Sequence, residues 1–214
     1  MKNSGKGLIF DLDGTLWDSS YQVGIAWNDM FRKYGVDIEL MQERMAVMMG
    51  RTVPEIDEAL LPDIEPVRRW EILSACCEEE NRRLNMFGGE LFPGVAELLP
   101  ELAKSCELFI VSNCQDGYIQ SFLNYHGMGP YISAIACIGR TGLRKGDNIK
   151  LIIERNCLDK AVYIGDTERD MHAARHAGIP FIHASYGFGR GFGAERSIAS
   201  FSDLPAIVGS VLGE

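Results

Sequence analysis

The chain has 214 residues, 46% of them hydrophobic and 24% charged, with a formal net charge of −9 and a pI near 5.0. That length suits one domain, or a core domain with a small accessory one, and the apolar share is ample for a buried core. The acidic balance repels nucleic-acid phosphates, and no stretch approaches the ~20 apolar residues that a membrane span needs.

In chain order, the opening MKNSGKGLIF has no apolar run of signal-peptide length. Its run Gly7-Leu8-Ile9-Phe10 predicts a short buried strand at 7–10. Two acids, Asp11 and Asp13, follow directly. From Trp17 to about Asn85 the pattern is helical. Val23, Ala26, Trp27, Met30, Phe31 and Tyr34 mark one helix, closed by Gly35 and started by Asp18, with Ser19 or Ser20 as a capping alternative. A methionine-rich piece follows (Met41, Met45, Met48, Met49) and reads as core packing. A longer helix is expected from Glu65 through Leu84, with residues 87–94 as the return hinge.

Beyond the hinge, strand and helix alternate. Strands are expected at 108–111, 134–138, 161–164 and 180–183. Helices are marked by Val95, Leu98, Leu99 and Leu102; by Ile119, Phe122 and Leu123; by Ile149, Ile152 and Ile153, with Asp147 as N-cap; and by Met171, Ala174 and Ala177, stopped by Gly178. The fold class is therefore α/β, a doubly wound Rossmann-like parallel sheet with an inserted all-helical cap. The expected domains are a core of residues 1–16 and 86–214 and a cap of residues 17–85. Six cysteines without a C-x-x-C pair read as reduced thiols of a cytoplasmic protein.

Ligands of open parallel sheets bind at the carboxyl ends of the strands. There the sequence puts Asp11 and Asp13, then Ser112 and Asn113, then Arg144 and Lys145, then Gly165, Asp166, Thr167 and Asp170. Carboxylates so concentrated need a divalent cation, and with few His or Cys nearby they suit Mg²⁺ better than Zn²⁺. A carboxylate can attack phosphorus, and a metal with a lysine can neutralise the transferring group. An EF-hand reading fails, because counting from Asp11 the required glycine and glutamate positions hold Leu16 and Gln22.

The ordered set DLDGTLWDS, IVSN, Lys145 and GDTERD resembles the four motifs of the haloacid dehalogenase-like hydrolase superfamily. The helical insert is similar to that superfamily's C1 cap, in the branch of phosphoglycolate phosphatase and β-phosphoglucomutase-like proteins. The resemblance implies Asp11 as nucleophile and metal ligand, and Asp13 as general acid/base that also offers its carbonyl to the metal. It implies Ser112 and Asn113 on the phosphoryl group, Lys145 beside the intermediate, Asp166 on Mg²⁺, and Asp170 as a ligand or an anchor behind it. Gly14 and Thr15 are further substrate-binding candidates. Arg51 lies where such caps place a substrate-contacting loop. The implied activity is a Mg²⁺-dependent phosphatase acting on a small phosphorylated metabolite through an aspartyl-phosphate.

Asp13 separates the chain from the dehalogenases of the superfamily, which lack the second aspartate. The cap's single lysine, Lys33, and the first motif do not match the phosphonate-cleaving branch. At the third motif Arg144-Lys145-Gly146-Asp147 stands where phosphoglycolate phosphatase-like relatives often have Lys-Pro, which weakens phosphoglycolate as the substrate and leaves Lys150 as a rival lysine. A phosphomutase would use the same core residues. A phospho-switch would place its aspartate after a middle strand and have no cap. His172 and His176 lack the glutamate of a zinc protease helix and read as a solvated face. The run 187–193, with four glycines, reads as a mobile loop near the site mouth.

Overall fold

The computed structural model describes residues 5–190 and 192–213. Strand β1 (Lys6–Phe10) is followed by the two-residue strand β2 (Trp17–Asp18). Four helices come next: α1 (Ser20–Tyr34), α2 (Gln42–Met48), α3 (Val53–Leu60) and α4 (Pro66–Phe87). Strand β3 (Glu90–Leu91) returns antiparallel to β2, so a short ribbon carries the chain out to the helical cap and back. The core then runs α5 (Val95–Leu102), β4 (Glu107–Ser112), α6 (Tyr118–His126), β5 (Ile132–Cys137), α7 (Ile138–Thr141) and α8 (Lys145–Arg155). It ends with β6 (Lys160–Gly165), α9 (Glu168–Ala177), β7 (Phe181–Ala184), β8 (Ser197–Ile198) and α10 (Leu204–Leu212).

Among the described residues one six-stranded sheet forms, in the order β5-β4-β1-β6-β7-β8, with every pair parallel. Helices cover both faces, so the strands are apolar on both sides. Leu8, Phe10, Leu108, Ile110, Val162 and Ile164 pack into one layer, and Ile9, Phe109, Val111, Ala161 and Tyr163 into the other. Period-two alternation thus divides each strand between two cores. The first of these layers continues into the cap through Trp17, Trp27, Phe31 and Leu84.

All five expected strands form, each within two residues of its expected limits. The structure corrects one local expectation. Helix α8 begins at Lys145, with Arg144 in the extended N-cap conformation, so Asp147 sits inside the first turn rather than capping it. An acid there still complements the helix dipole. At α1 the Asp18 carboxylate accepts from the Ser20 N–H (2.9 Å), while Ser19 turns its hydroxyl elsewhere.

Strand β1 lies between β4 and β6, where the strand order reverses. That position makes its carboxyl end the natural ligand crevice. Ile9, wholly buried at its centre, should tolerate truncation poorly. Ile9→Ala is expected to cost about 2–5 kcal/mol by urea denaturation, and Val47→Ala, on an exposed cap position, less than about 0.5 kcal/mol.

Candidate active site

Asp11 is the first residue beyond β1, and its N–H still bonds to the Ile164 carbonyl of β6 (2.8 Å). That bond fixes the ends of the two strands side by side. One carboxylate oxygen each from Asp11, Asp166 and Asp170 falls within a 4.8 Å span, and all three residues are buried. The Lys145 ammonium reaches into the same cluster, 2.9 Å from Asp11 Oδ1 and 2.7 Å from Asp170 Oδ1. Its place in the first turn of α8 lets the stem lie along the core while Nζ meets the acids.

Three carboxylates face one ammonium. Burial, then repulsion from Asp170, pushes Asp11 well above the usual carboxylate range, with Lys145 opposing. Burial and Asp170 likewise push Asp166 up to about 7. Burial alone would lower Lys145, but Asp11 and Asp170 outweigh it and hold the lysine firmly charged. Asp11 Oδ2 and Asp166 Oδ1 are buried without a hydrogen-bond partner. Orphaned oxygens in an acid-rich nest, with no Cys or His among them, suit a hard divalent cation such as Mg²⁺. The residues present therefore fit the group that the motifs imply.

The two metal candidates after β6 differ. Asp166 gives one oxygen to the backbone N–H groups of Phe188 (2.7 Å) and Gly189 (3.2 Å) and keeps the other free. Asp170 has both oxygens engaged. Oδ1 takes Lys145, and Oδ2 takes the Thr167 N–H (3.0 Å) and hydroxyl (2.6 Å) in a capping box. Its geometry is that of an anchor for Lys145 and α9. The segment 187–189, expected as a mobile loop, is packed onto this site. A Cβ on Gly187 would come within 2.1 Å of the Gly14 carbonyl, and one on Gly14 within 2.2 Å of the Asp166 carboxylate. Gly14 also has a φ of +76°, so glycine is required there twice over. Gly191 of the same run lies outside the described residues.

Asp13 is held from one side. Its Oδ1 accepts from Trp17 Nε1 (2.9 Å), Ser19 Oγ (2.9 Å) and Tyr118 Oη (2.7 Å), and the two hydroxyls also meet each other (2.6 Å). Burial lifts the Asp13 pKa to about 6, against the pull of the Tyr118, Ser19 and Trp17 hydrogen bonds. A carboxyl near that value can both give and take a proton at neutral pH.

Ser112 is buried at the end of β4. Asn113, next to it, donates to the Gly50 carbonyl of the cap (3.0 Å). Arg169 and Glu55 make a second link between core and cap (2.6 Å). These ties bring Arg51 to the wall of a cavity of about 40 Å³ shared with Asp13, Ser112 and Asn113. Thr15 is buried, and its hydroxyl has no hydrogen-bond partner. Lys150, the rival lysine, instead lies 3.2 Å from His176 on the exposed side of α8, and His176 also meets Asp147 (2.7 Å). His172 and His176 line a crevice beside Lys145 and Arg169. Sequence reasoning missed Tyr118, Trp17 and Ser19 as partners of Asp13, and it missed Glu80, a buried acid of the cap. Glu80 ends the run Glu78-Glu79-Glu80 on a largely polar helix, so no sequence signal sets it apart.

Fold and site define an α/β enzyme core carrying a carboxylate cluster at the switch point of its sheet. The model of the haloacid dehalogenase-like hydrolases matches residues 8–184, and the chain belongs to that family. It is 28% identical to the phosphoglycolate phosphatase of Rhodobacter capsulatus across 96% of each chain. Its fold is similar to that of a haloacid dehalogenase-like hydrolase from Streptococcus pneumoniae (TM-score 0.81, 23% identity, 97% of this chain and 99% of the other). It is also similar to that of CbbY from Rhodobacter sphaeroides, solved in complex with phosphate (TM-score 0.81, 22% identity, 94% and 96%).

The raised acids make a linkage prediction. A carboxyl whose folded pKa exceeds its unfolded value favours the fold while protonated. For Asp13 and Asp166 that contribution is lost as pH rises from about 4 toward about 6 and 7 respectively. A cation that binds the ionised cluster restores it. Added Mg²⁺ is therefore expected to raise the melting temperature by several degrees at pH 7.5 and by little at pH 5. Scanning calorimetry at both pH values checks this, and an equal shift at both would contradict the assignment.

Proposed function

We propose that the protein is a Mg²⁺-dependent phosphatase that hydrolyses a small phosphate monoester through an aspartyl-phosphate on Asp11. The observation that carries the reading is the pairing of two buried acids in different states of restraint. Asp11 has an oxygen with no hydrogen-bond partner beside a charged lysine. Asp13 has one oxygen locked by three donors. The phosphoglycolate phosphatase named among the relatives supports a phosphate monoester as the class of substrate. The six free cysteines suit the cytoplasm.

In this reading Asp11 Oδ2 attacks phosphorus and the bond to the leaving oxygen breaks. Asp13, protonated, gives its proton to that oxygen. Asp13 then takes a proton from water, which attacks the aspartyl-phosphate and frees Asp11 and phosphate. Lys145 keeps a positive charge against the transferring group, and Ser112 with Asn113 positions its oxygens. Asp11, Asp166 and the Asp13 carbonyl would hold Mg²⁺, with Asp170 holding Lys145 in place. When bound, the cation offsets the repulsion between nucleophile and phosphate. The Asn113 and Arg169 ties close the cap and keep bulk water from the intermediate.

The test is phosphate release from an aryl phosphate with Mg²⁺ and with excess chelator, for wild type and Asp11→Asn. Release that needs the metal and vanishes in the variant is expected; activity retained by Asp11→Asn would sink the mechanism. Tyr118→Phe probes the restraint on Asp13. It should slow hydrolysis of an alkyl phosphate by about tenfold and that of an aryl phosphate much less, because only the alkyl leaving group depends on the proton. Equal losses on both substrates would assign Tyr118 a purely structural role.

A further inference from the structure

The cavity beside Asp13 holds a second acid that the mechanism above does not use. Glu80 lies on α4 of the cap, is only 5% exposed, and lines the same cavity as Asp13 and Ser112. Its Oε2 accepts from Trp27 Nε1 (2.5 Å) on α1, and its Oε1 accepts from Gln115 Nε2 (3.1 Å) on the core. Each oxygen keeps a lone pair unused. Among the described residues no cation pairs with Glu80, and the charged neighbour that perturbs it is Asp13. Burial lifts its carboxyl to about 7, with the Trp27 and Gln115 bonds opposing.

A buried acid without a counter-ion is costly unless something supplies the charge. Glutamine would keep the Trp27 bond and add no repulsion toward Asp13, with its amide N–H groups met by the oxygen of Gln115 once that amide turns over. Apart from Arg51, the rest of the cap wall is apolar, with Met45, Met48, Met49, Val53 and Ile56. The cavity has room for about three waters, so what enters with the cap closed is small. Ser112 and Asn113 line its core side, but the nucleophile, Lys145 and Asp166 do not, which gives the cap side to the alcohol portion of the substrate.

We propose that Glu80 is a specificity-determining residue that selects a small phosphate monoester whose alcohol carries an ammonium group and rejects one that carries a carboxylate. The inference rests on the phosphatase reading for the placement of the phosphoryl group at Asp11. An ammonium near Glu80 gains a charge-assisted hydrogen bond and removes the unpaired buried charge. A carboxylate would add a third acid to the cavity, and only Arg51 of its lining could meet it.

Binding tests this without turnover. Titration calorimetry with Mg²⁺ compares 2-aminoethyl phosphate, carboxymethyl phosphate and inorganic phosphate on the Asp11→Asn chain and on the Asp11→Asn/Glu80→Gln chain. The first chain is expected to prefer the aminoethyl over the carboxymethyl ester by at least about tenfold. The Glu80→Gln change should shrink that ratio by about tenfold and leave inorganic phosphate unaffected. A ratio that Glu80→Gln does not alter would overturn the proposal. So would tighter binding of the carboxymethyl ester to Asp11→Asn alone, a result that needs no Glu80 variant to fold and that assigns selection to Arg51. Failure of the wild type to release phosphate from any ester would count against the phosphatase reading and leave this ranking to stand or fall by itself.

Discussion

The crowding of buried carboxylates around one ammonium is the constraint on which the rest of this structure depends. Asp11, Asp166 and Asp170 come together because β1 and β6 are parallel neighbours whose carboxyl ends coincide. Water would screen such charges, but burial removes it and their mutual repulsion grows. The surroundings answer that repulsion at several points. Lys145 is drawn in at the first turn of α8, backbone N–H groups of 188 and 189 turn toward Asp166, and Thr167 closes a capping box on Asp170. Glycine stands at 14 and 187 because the acid cluster and the chains around it leave no space for a Cβ. The orphaned oxygens that remain are what a divalent cation would take up.

The cap side of the site obeys a different rule. There the polar groups are few and each is fixed by neighbours from another element. Asp13 of the core is held by Trp17 and Ser19 from the ribbon that leads to the cap and by Tyr118 from α6. Asn113 and Gln115, both just beyond β4, reach Gly50 and Glu80 of the cap. The acid proposed to handle protons is thus tied to the elements that join core and cap. The Arg169–Glu55 pair at the rim is exposed on both sides and adds at most about 1 kcal/mol, so apolar packing and the buried bonds do most of the closing.

Much of this was legible in the sequence, for physical reasons that can be named. Fully buried parallel strands need unbroken apolar runs, and 7–10, 108–111 and 161–164 are such runs. The acids at their ends stood out because nothing in a turn requires Asp11, Asp13 and Asp166 together. What stayed hidden depends on tertiary approach. Tyr118 reads as an ordinary first residue of a helix, and Ser19 as a cap, until the fold sets both hydroxyls against Asp13. The glycines at 187 and 189 read as looseness, whereas close approach to Asp166 requires them. Strand β8 and the ribbon of β2 and β3 are two residues each, too short for any periodicity to register. Asp147 was a reasonable N-cap by residue type, but the cap falls three residues earlier, at Arg144, and the first turn carries Lys145 into the acid cluster.

The central claim is that Asp11 carries the phosphoryl group. The most direct measurement is acid-quench peptide mapping of the Asp13→Asn chain mixed with Mg²⁺ and an aryl phosphate. An aryl leaving group needs no proton, so the first step should proceed, and the loss of the base should slow the second. The account predicts a burst of aryl alcohol with a phosphoryl adduct on the peptide that contains Asp11. Phosphate release with no burst and an unmodified Asp11, or an adduct on another residue, would contradict it.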